Sequence, residues 1–193
     1  MTAAAQRNGT LNLQLKRKPF FLYPGGRHAV SKWGDRLDAL YPGGRMSIAQ
    51  LGECAGFSFD FDVDISDTMD SHRLYLWAYN HSREQGEQLA QAVGHQYFER
   101  RRPLADREML CSCASEVGLD QAAARNYLES EGGYDEVKAS VDANVRLGIH
   151  SIPVFIFRSA GYETVVHGSA DVARFGEVLD AIVASSSTDK DEL

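Results

Sequence analysis

The sequence is short of cysteine and of positive charge, and it has no long apolar run. Three cysteines, Cys54, Cys111 and Cys113, stand among 193 residues. That is too few to staple a small scaffold, and an odd count leaves at least one thiol unpaired within the chain. No Cys-x-x-Cys pair occurs. With 20 basic against 27 acidic residues the formal net charge is −7, which argues against nucleic acid or an anionic membrane as the main partner. No apolar stretch approaches the ~20 residues that a membrane span needs. Residues 1–10 are small and polar and lack the basic start and apolar core of a signal peptide. What remains is ordinary soluble globular material, 44% hydrophobic and 24% charged. Its length suits one domain, or one domain with an inserted subdomain.

The most informative stretch is residues 148–157, Gly-Ile-His-Ser-Ile-Pro-Val-Phe-Ile-Phe. Val154, Phe155, Ile156 and Phe157 form a continuous β-branched and aromatic run, which predicts a strand covered on both faces. Pro153 has no N–H to give to a ladder and is tolerated at a strand's first residue. The Ile152-Pro153 bond is the chain's best candidate for a cis peptide, because only X-Pro bonds take that form cheaply. A trans proline that separates the preceding helix from the strand is the alternative. Residues 163–168 predict a second short strand and 171–184 an amphipathic helix.

Upstream, Leu11, Leu13 and Leu15 alternate with polar residues and predict a strand with one buried face. The motif Tyr-Pro-Gly-Gly-Arg occurs at 23–27 and at 41–45. The copies read as two turns bracketing a helix over 28–40, with Trp33, Leu37 and Leu40 inward. A helix over 47–55 follows, with Ile48, Leu51 and Cys54 inward and Gly56 as its stop. Residues 57–62 alternate like a strand. Asp60, Asp62 and Asp64 invite a calcium reading, but the loop glycine and terminal glutamate of an EF-hand are missing, so no metal is expected. Asp67 or Thr68 caps the next helix, and amphipathic stretches cover 82–101 and 106–118. Asp120 caps a helix to residue 130. Residues 134–147 form another, with Val137, Val141, Ala143 or Asn144, and Leu147 on its inner face.

On a helix, positions two apart point to nearly opposite sides, so a disulfide between Cys111 and Cys113 requires unwinding. Leu110, Cys113, Ala114 and Val117 make the buried stripe and leave Cys111 at its edge. One core thiol and one flank thiol is the plain reading; a strained, easily reduced pair is the other. A Cys-x-Cys zinc site lacks its second ligand pair. Cys54 reads as a packed small hydrophobe. His72 reads as a hydrogen-bonded structural residue or, in the sharper reading, as an acid or base. Asn8-Gly9-Thr10 and Asn80-His81-Ser82 have the form of glycosylation acceptors, a short motif that also recurs by chance.

The order helix, Gly-Ile-x-x-Ile-Pro, strand, hairpin, strand and closing helix resembles the C-terminal half of a thioredoxin fold. The likeness is to the DsbA-like branch, in particular FrnE-type and 2-hydroxychromene-carboxylate-isomerase-type proteins. Thr68, His72, Arg73 and Leu74 match that family's helical signature Asn-Thr-x-x-Ala-His-Arg-Leu, with departures at Asp67 and Ser71. Residues 17–24 approximate its Arg-Pro-Phe-x-Leu-x-Pro segment with one extra residue. The resemblance implies an α/β thioredoxin-like fold with a helical insertion and thiol–disulfide exchange as the family activity. It also implies a cis-proline site in which Ser151, Ile152 and Pro153 meet a thiol- or disulfide-bearing protein, or glutathione.

Members of the family carry, before this point, a first strand and a Cys-x-x-Cys pair at a helix N-terminus, where the dipole lowers the first thiol's pKa. Here ten polar residues stand instead, and none of Cys54, Cys111 or Cys113 is placed to substitute. The expectation is an N-terminally incomplete domain whose catalytic pair lies upstream of, or is lost from, this chain. The functional alternatives are an oxidoreductase domain, a redox-inactive module that binds peptides or a partner, and a glutathione-using isomerase or transferase of kappa-class type.

The expected organisation is a leader and thioredoxin strand over 1–26, a helical insert over 27–147, a C-terminal thioredoxin half over 148–185 and a tail over 186–193. The tail ends Lys190-Asp191-Glu192-Leu193, the receptor-read address that retains proteins in the endoplasmic reticulum. A retention receptor is therefore an expected partner. The expected location is the reticulum lumen if the N-terminus is incomplete, and otherwise the cytoplasm.

Overall fold

A computed structural model of the chain describes residues 12–22, 32–168 and 172–188. Asn8, the first Tyr-Pro-Gly-Gly-Arg copy and Lys190 to Leu193 lie outside the described residues. The chain forms two compact units, one spanning Tyr23–Asp142 and one combining Met1–Leu22 with Ala143–Leu193.

The larger unit is helical: α1 (Trp33–Leu40), α2 (Gly44–Cys54), α3 (Met69–His81), α4 (Arg83–Arg100), α5 (Arg107–Glu116) and α6 (Gln121–Glu129), followed by α7 (Tyr134–Arg146), which runs across the boundary. Three of these helices start on a side chain that takes up an orphan N–H of the first turn. Ser82, Asp106 and Asp120 accept from the backbone N–H groups of Gln85, Met109 and Ala123, the role of an N-cap. Just ahead of α3, Asp67 Oδ1 accepts from the Met69 N–H at 2.7 Å. Leu74, Ala78, Leu89, Met109, Leu110, Cys111, Cys113, Ala114, Leu119, Ala124 and Leu128 pack into one core built from α3 to α6.

Asp106 offers a local test of this reading. Its carboxylate accepts from Met109 N–H at 3.0 Å and from Arg102, and first the backbone bond, then Arg102, holds its pKa below the usual carboxylate range. Asp106→Ala is expected to cost about 1 kcal/mol in a urea melt at neutral pH. Because the folded pKa is depressed, that contribution is present above the unfolded value and is lost as pH falls through the folded one. The difference between variant and wild type therefore narrows in acid.

Several faces differ from the sequence reading. Leu40, Leu51 and Cys54 are exposed rather than inward, Leu51 by 70%. The reason is that α1 and α2 pack chiefly on each other, so each buries a narrower stripe than its periodicity suggests. Leu147, in the turn just past the end of α7, is 67% exposed, although Val137 within that helix is fully buried. Residues 57–62 form no strand. Their alternation instead gathers Phe57, Phe59 and Phe61 into an aromatic cluster with Trp33 and Phe98, Trp33 stacking on Phe61 at 5.0 Å. The carboxylates between them are ion-paired: Lys32 reaches Asp64 at 2.9 Å and Asp62 at 3.4 Å, and Arg101 reaches Asp60 at 3.2 Å. Among the described residues no cluster of His, Cys, Asp or Glu could hold a metal.

The smaller unit contains β1 (Val154–Ser159), β2 (Tyr162–His167) and α8 (Val172–Thr188). The two strands pair antiparallel, Val154 opposite His167 and Ile156 opposite Val165. Val166, Val178, Leu179 and Ile182 bury one face with Phe155, Phe157 and Tyr162, and the Phe155 ring stands edge-on to Phe175 at 4.9 Å. The other face is open: Ile156 and Val165 are 37% and 41% exposed. The β1 run is thus covered on one face and not on both, because among the described residues a two-stranded ladder meets a single helix layer. Residues 12–20 form no strand, and Leu13 and Leu15 are about two-fifths exposed. Alternation assigns faces, but a strand exists only as part of a ladder. No helix among the described residues is long and apolar enough to cross a membrane.

Candidate functional site

The segment that enters β1 is positioned from its N-terminal side by the end of α7. Gly148 has φ 76°, the left-handed conformation in which glycine commonly ends a helix. The Gly148 and Ile149 N–H groups close on the carbonyls of Val145 and Asn144 at 2.9 and 3.0 Å. The Asn144 amide also donates to the carbonyl of buried Pro19 at 2.9 Å. The chain then emerges: Ser151, Ile152 and Pro153 are exposed, Ile152 by half. The Ile152-Pro153 bond is cis. The Pro153 carbonyl accepts from Gly168 N–H at 2.8 Å, which anchors the proline to the far end of the hairpin. Ser151 and Ile152 make no backbone–backbone bond with the described residues. An apolar side chain and free peptide groups thus stand side by side on a fixed turn, a combination that suits an extended polypeptide.

Cys111 and Cys113 belong to the helical unit. Cys111 and Cys113 are both fully buried members of its core, and neither they nor Cys54 form a disulfide. The expectation that Cys111 lies at the edge of a stripe fails, because α5 packs against α3, α4 and α6 and so is buried around more than one face. Burial raises the pKa of both: that of Cys111 moves upward, and that of Cys113 is pushed up to about 11, with Glu116 adding to the effect. The Cys113 thiol lies 3.6 Å from the Met109 sulfur. A buried, protonated thiol is a poor nucleophile, so neither residue behaves as the attacking cysteine of an exchange reaction.

His72 sits half-buried on α3, its backbone N–H donating to the Thr68 carbonyl at 3.0 Å. The structure gives its neighbour Arg73 the larger part, which the sequence did not disclose. Arg73 is 2% exposed. Its guanidinium donates to the carbonyls of Gly132, Leu128, Tyr127 and Ser130 at 2.7, 3.3, 2.9 and 2.5 Å, and to Asp70 at 2.6 Å. Asp70 is shared with Arg107, also at 2.6 Å. Arg73 is thus a side-chain cap for the C-terminal end of α6, where unpaired carbonyls and the negative end of the dipole favour a cation. Gly133 at φ 73° completes the corner; a Cβ there would fall 2.0 Å from the Tyr127 hydroxyl. The family marker around His72 and Arg73 therefore holds the helical unit together.

The description of the DSBA-like thioredoxin domain matches residues 1–180. The crystal structure of a probable DsbA oxidoreductase from Streptomyces coelicolor is similar at a TM-score of 0.71 and 26% identity, over 86% of this chain and 73% of that one. No curated protein sequence matches. A mostly helical chain whose small antiparallel sheet begins at a proline turn, matched over 180 residues to one domain description, belongs to the DsbA-like thioredoxin domain family.

Proposed function

We propose that the chain serves thiol–disulfide exchange on polypeptides by contributing the segment that receives the substrate, while its own thiols take no part. The observation that carries this is the separation of roles: Ile152 is exposed and its peptide groups make no backbone bond with the described residues, whereas Cys111 and Cys113 are sealed in a core that keeps them protonated. In exchange, a thiolate attacks one sulfur of a disulfide, a mixed disulfide forms and the other sulfur leaves as a thiolate. That thiolate is none of Cys54, Cys111 and Cys113 and comes from a Cys-x-x-Cys pair on another segment or partner. The similarity to a probable DsbA oxidoreductase supports an oxidoreductase setting, and Thr68, His72, Arg73 and Leu74 support the FrnE-type branch. The closing Lys-Asp-Glu-Leu supports retrieval to the lumen of the endoplasmic reticulum through the retention receptor.

The test has two arms. In an insulin-reduction assay the 193-residue chain should give no turnover above dithiothreitol alone. Binding of a carboxymethylated, thiol-free insulin B chain should be measurable by fluorescence anisotropy. Ile152→Asp should weaken it about tenfold, the equivalent of one lost apolar anchor. Turnover that disappears in Cys111→Ala or Cys113→Ala, or equal binding by the Ile152→Asp variant, overturns the reading.

A further inference from the structure

We propose that Asn80 is an N-glycosylation acceptor, an inference that rests on the proposed residence in the reticulum lumen. Asn80-His81-Ser82 has the acceptor form, with a residue other than proline in the middle. It falls at the junction of α3 and α4, where the backbone leaves the helix for an extended residue, Ser82 at φ −155° and ψ 132°. Asn80 is exposed and its side-chain amide makes no hydrogen bond with the described residues. Its neighbour His81 is tied back onto α3, with Nδ1 2.8 Å from the Trp77 carbonyl and its ring 4.5 Å from that of Trp77.

These facts divide the two stages that a glycan must pass. The hydroxyl of Ser82 is occupied in the folded chain, accepting the Gln85 N–H at 3.4 Å as the cap of α4, so the acceptor is read on the nascent chain before α4 closes. The exposed, unbonded Asn80 then carries a bulky hydrophilic group without displacing any contact. The donor is a lipid-linked oligosaccharide diphosphate. The Asn80 Nδ2 forms a bond to the anomeric carbon as the bond from that carbon to the diphosphate oxygen breaks, and the amide gives up one proton.

The experiment delivers the full chain to the reticulum of a eukaryotic host with a grafted, cleavable secretion signal. Thr10→Ala removes the other acceptor, so a single downward step in mobility after peptide-N-glycosidase F reports Asn80. Asn80→Gln in that background should abolish the step with an unchanged melting temperature, since the native amide is unbonded, and Ser82→Thr should preserve it. No step in the Thr10→Ala chain, or a step that survives Asn80→Gln, overturns the assignment. Endoglycosidase H separates the two readings: a sensitive glycan supports both site and retrieval. A glycan that resists it on secreted protein upholds the site and overturns retrieval.

Discussion

Arg73→Ala is expected to destabilise the helical unit by about 3–5 kcal/mol, the usual result of removing one partner from a buried ion pair. On a domain stability of roughly 5–15 kcal/mol that is a large fraction, enough to leave much of the protein unfolded at 37 °C. Two effects add. Carbonyls of Leu128, Ser130 and Gly132 lose the Arg73 donor at the end of α6, while that of Tyr127 keeps Ser130, and an orphaned buried acceptor costs about 1–3 kcal/mol. Asp70, with a side chain only 17% exposed, keeps Arg107 but loses its buried counter-charge. Arg73→Lys should recover only part of the loss, because an ammonium cannot spread donors across a planar fork. The readout is the urea midpoint at unchanged slope. A midpoint equal to wild type for Arg73→Ala would mean that the cap carries no weight.

This residue also marks where the sequence stops being readable. Thr68, His72, Arg73 and Leu74 were recognisable as a signature, but the partners of Arg73 lie 54 to 59 residues further on and are carbonyls, which leave no trace in side-chain identity. Chemistry that is complete within one turn was legible: Asp120 announces its helix because cap and receiving N–H are three residues apart. The hairpin was legible too, since β-branched residues with a glycine between two short runs specify it locally. Leu13 and Leu15 show the opposite case. Their alternation is as regular as that of β2, yet a ladder needs a second chain segment that no local pattern supplies. The burial of Cys111 was missed for a related reason. Periodicity gives a helix one apolar stripe, and how many neighbours pack around α5 is decided by the bundle. Of the candidate site, Ser151, Ile152 and Pro153 were indicated only by the family resemblance, whereas the exposure of the turn and the inertness of the thiols required the packing.

That inertness yields the second large effect. In the native protein exposed Cys54 should react with an aromatic disulfide reagent at once, while Cys111 and Cys113 should react at least about 10³-fold more slowly, because each must wait for the core to open. In denaturant all three should react together. The pH dependence follows from the same burial. The native pKa of Cys113 lies at about 11 against an ordinary 9.0, so between those values the unfolded chain has released a proton that the native chain still holds. Stability is therefore intact below pH 9 and falls as pH rises, by about 1 kcal/mol per unit for this thiol, levelling off once the native group also ionises. Cys111 and Tyr127, both raised first by burial, push the same way. Cys113→Ala should flatten the alkaline limb of the urea midpoint measured from about pH 8 to about pH 10. If instead the native thiols react as fast as Cys54 and the limb is flat in wild type, α5 opens readily and Cys111 with Cys113 regains standing as an exchange pair. A slow pair with a steep limb agrees with the proposal that the exposed turn at Ile152 receives the substrate and that the attacking sulfur is neither Cys111 nor Cys113.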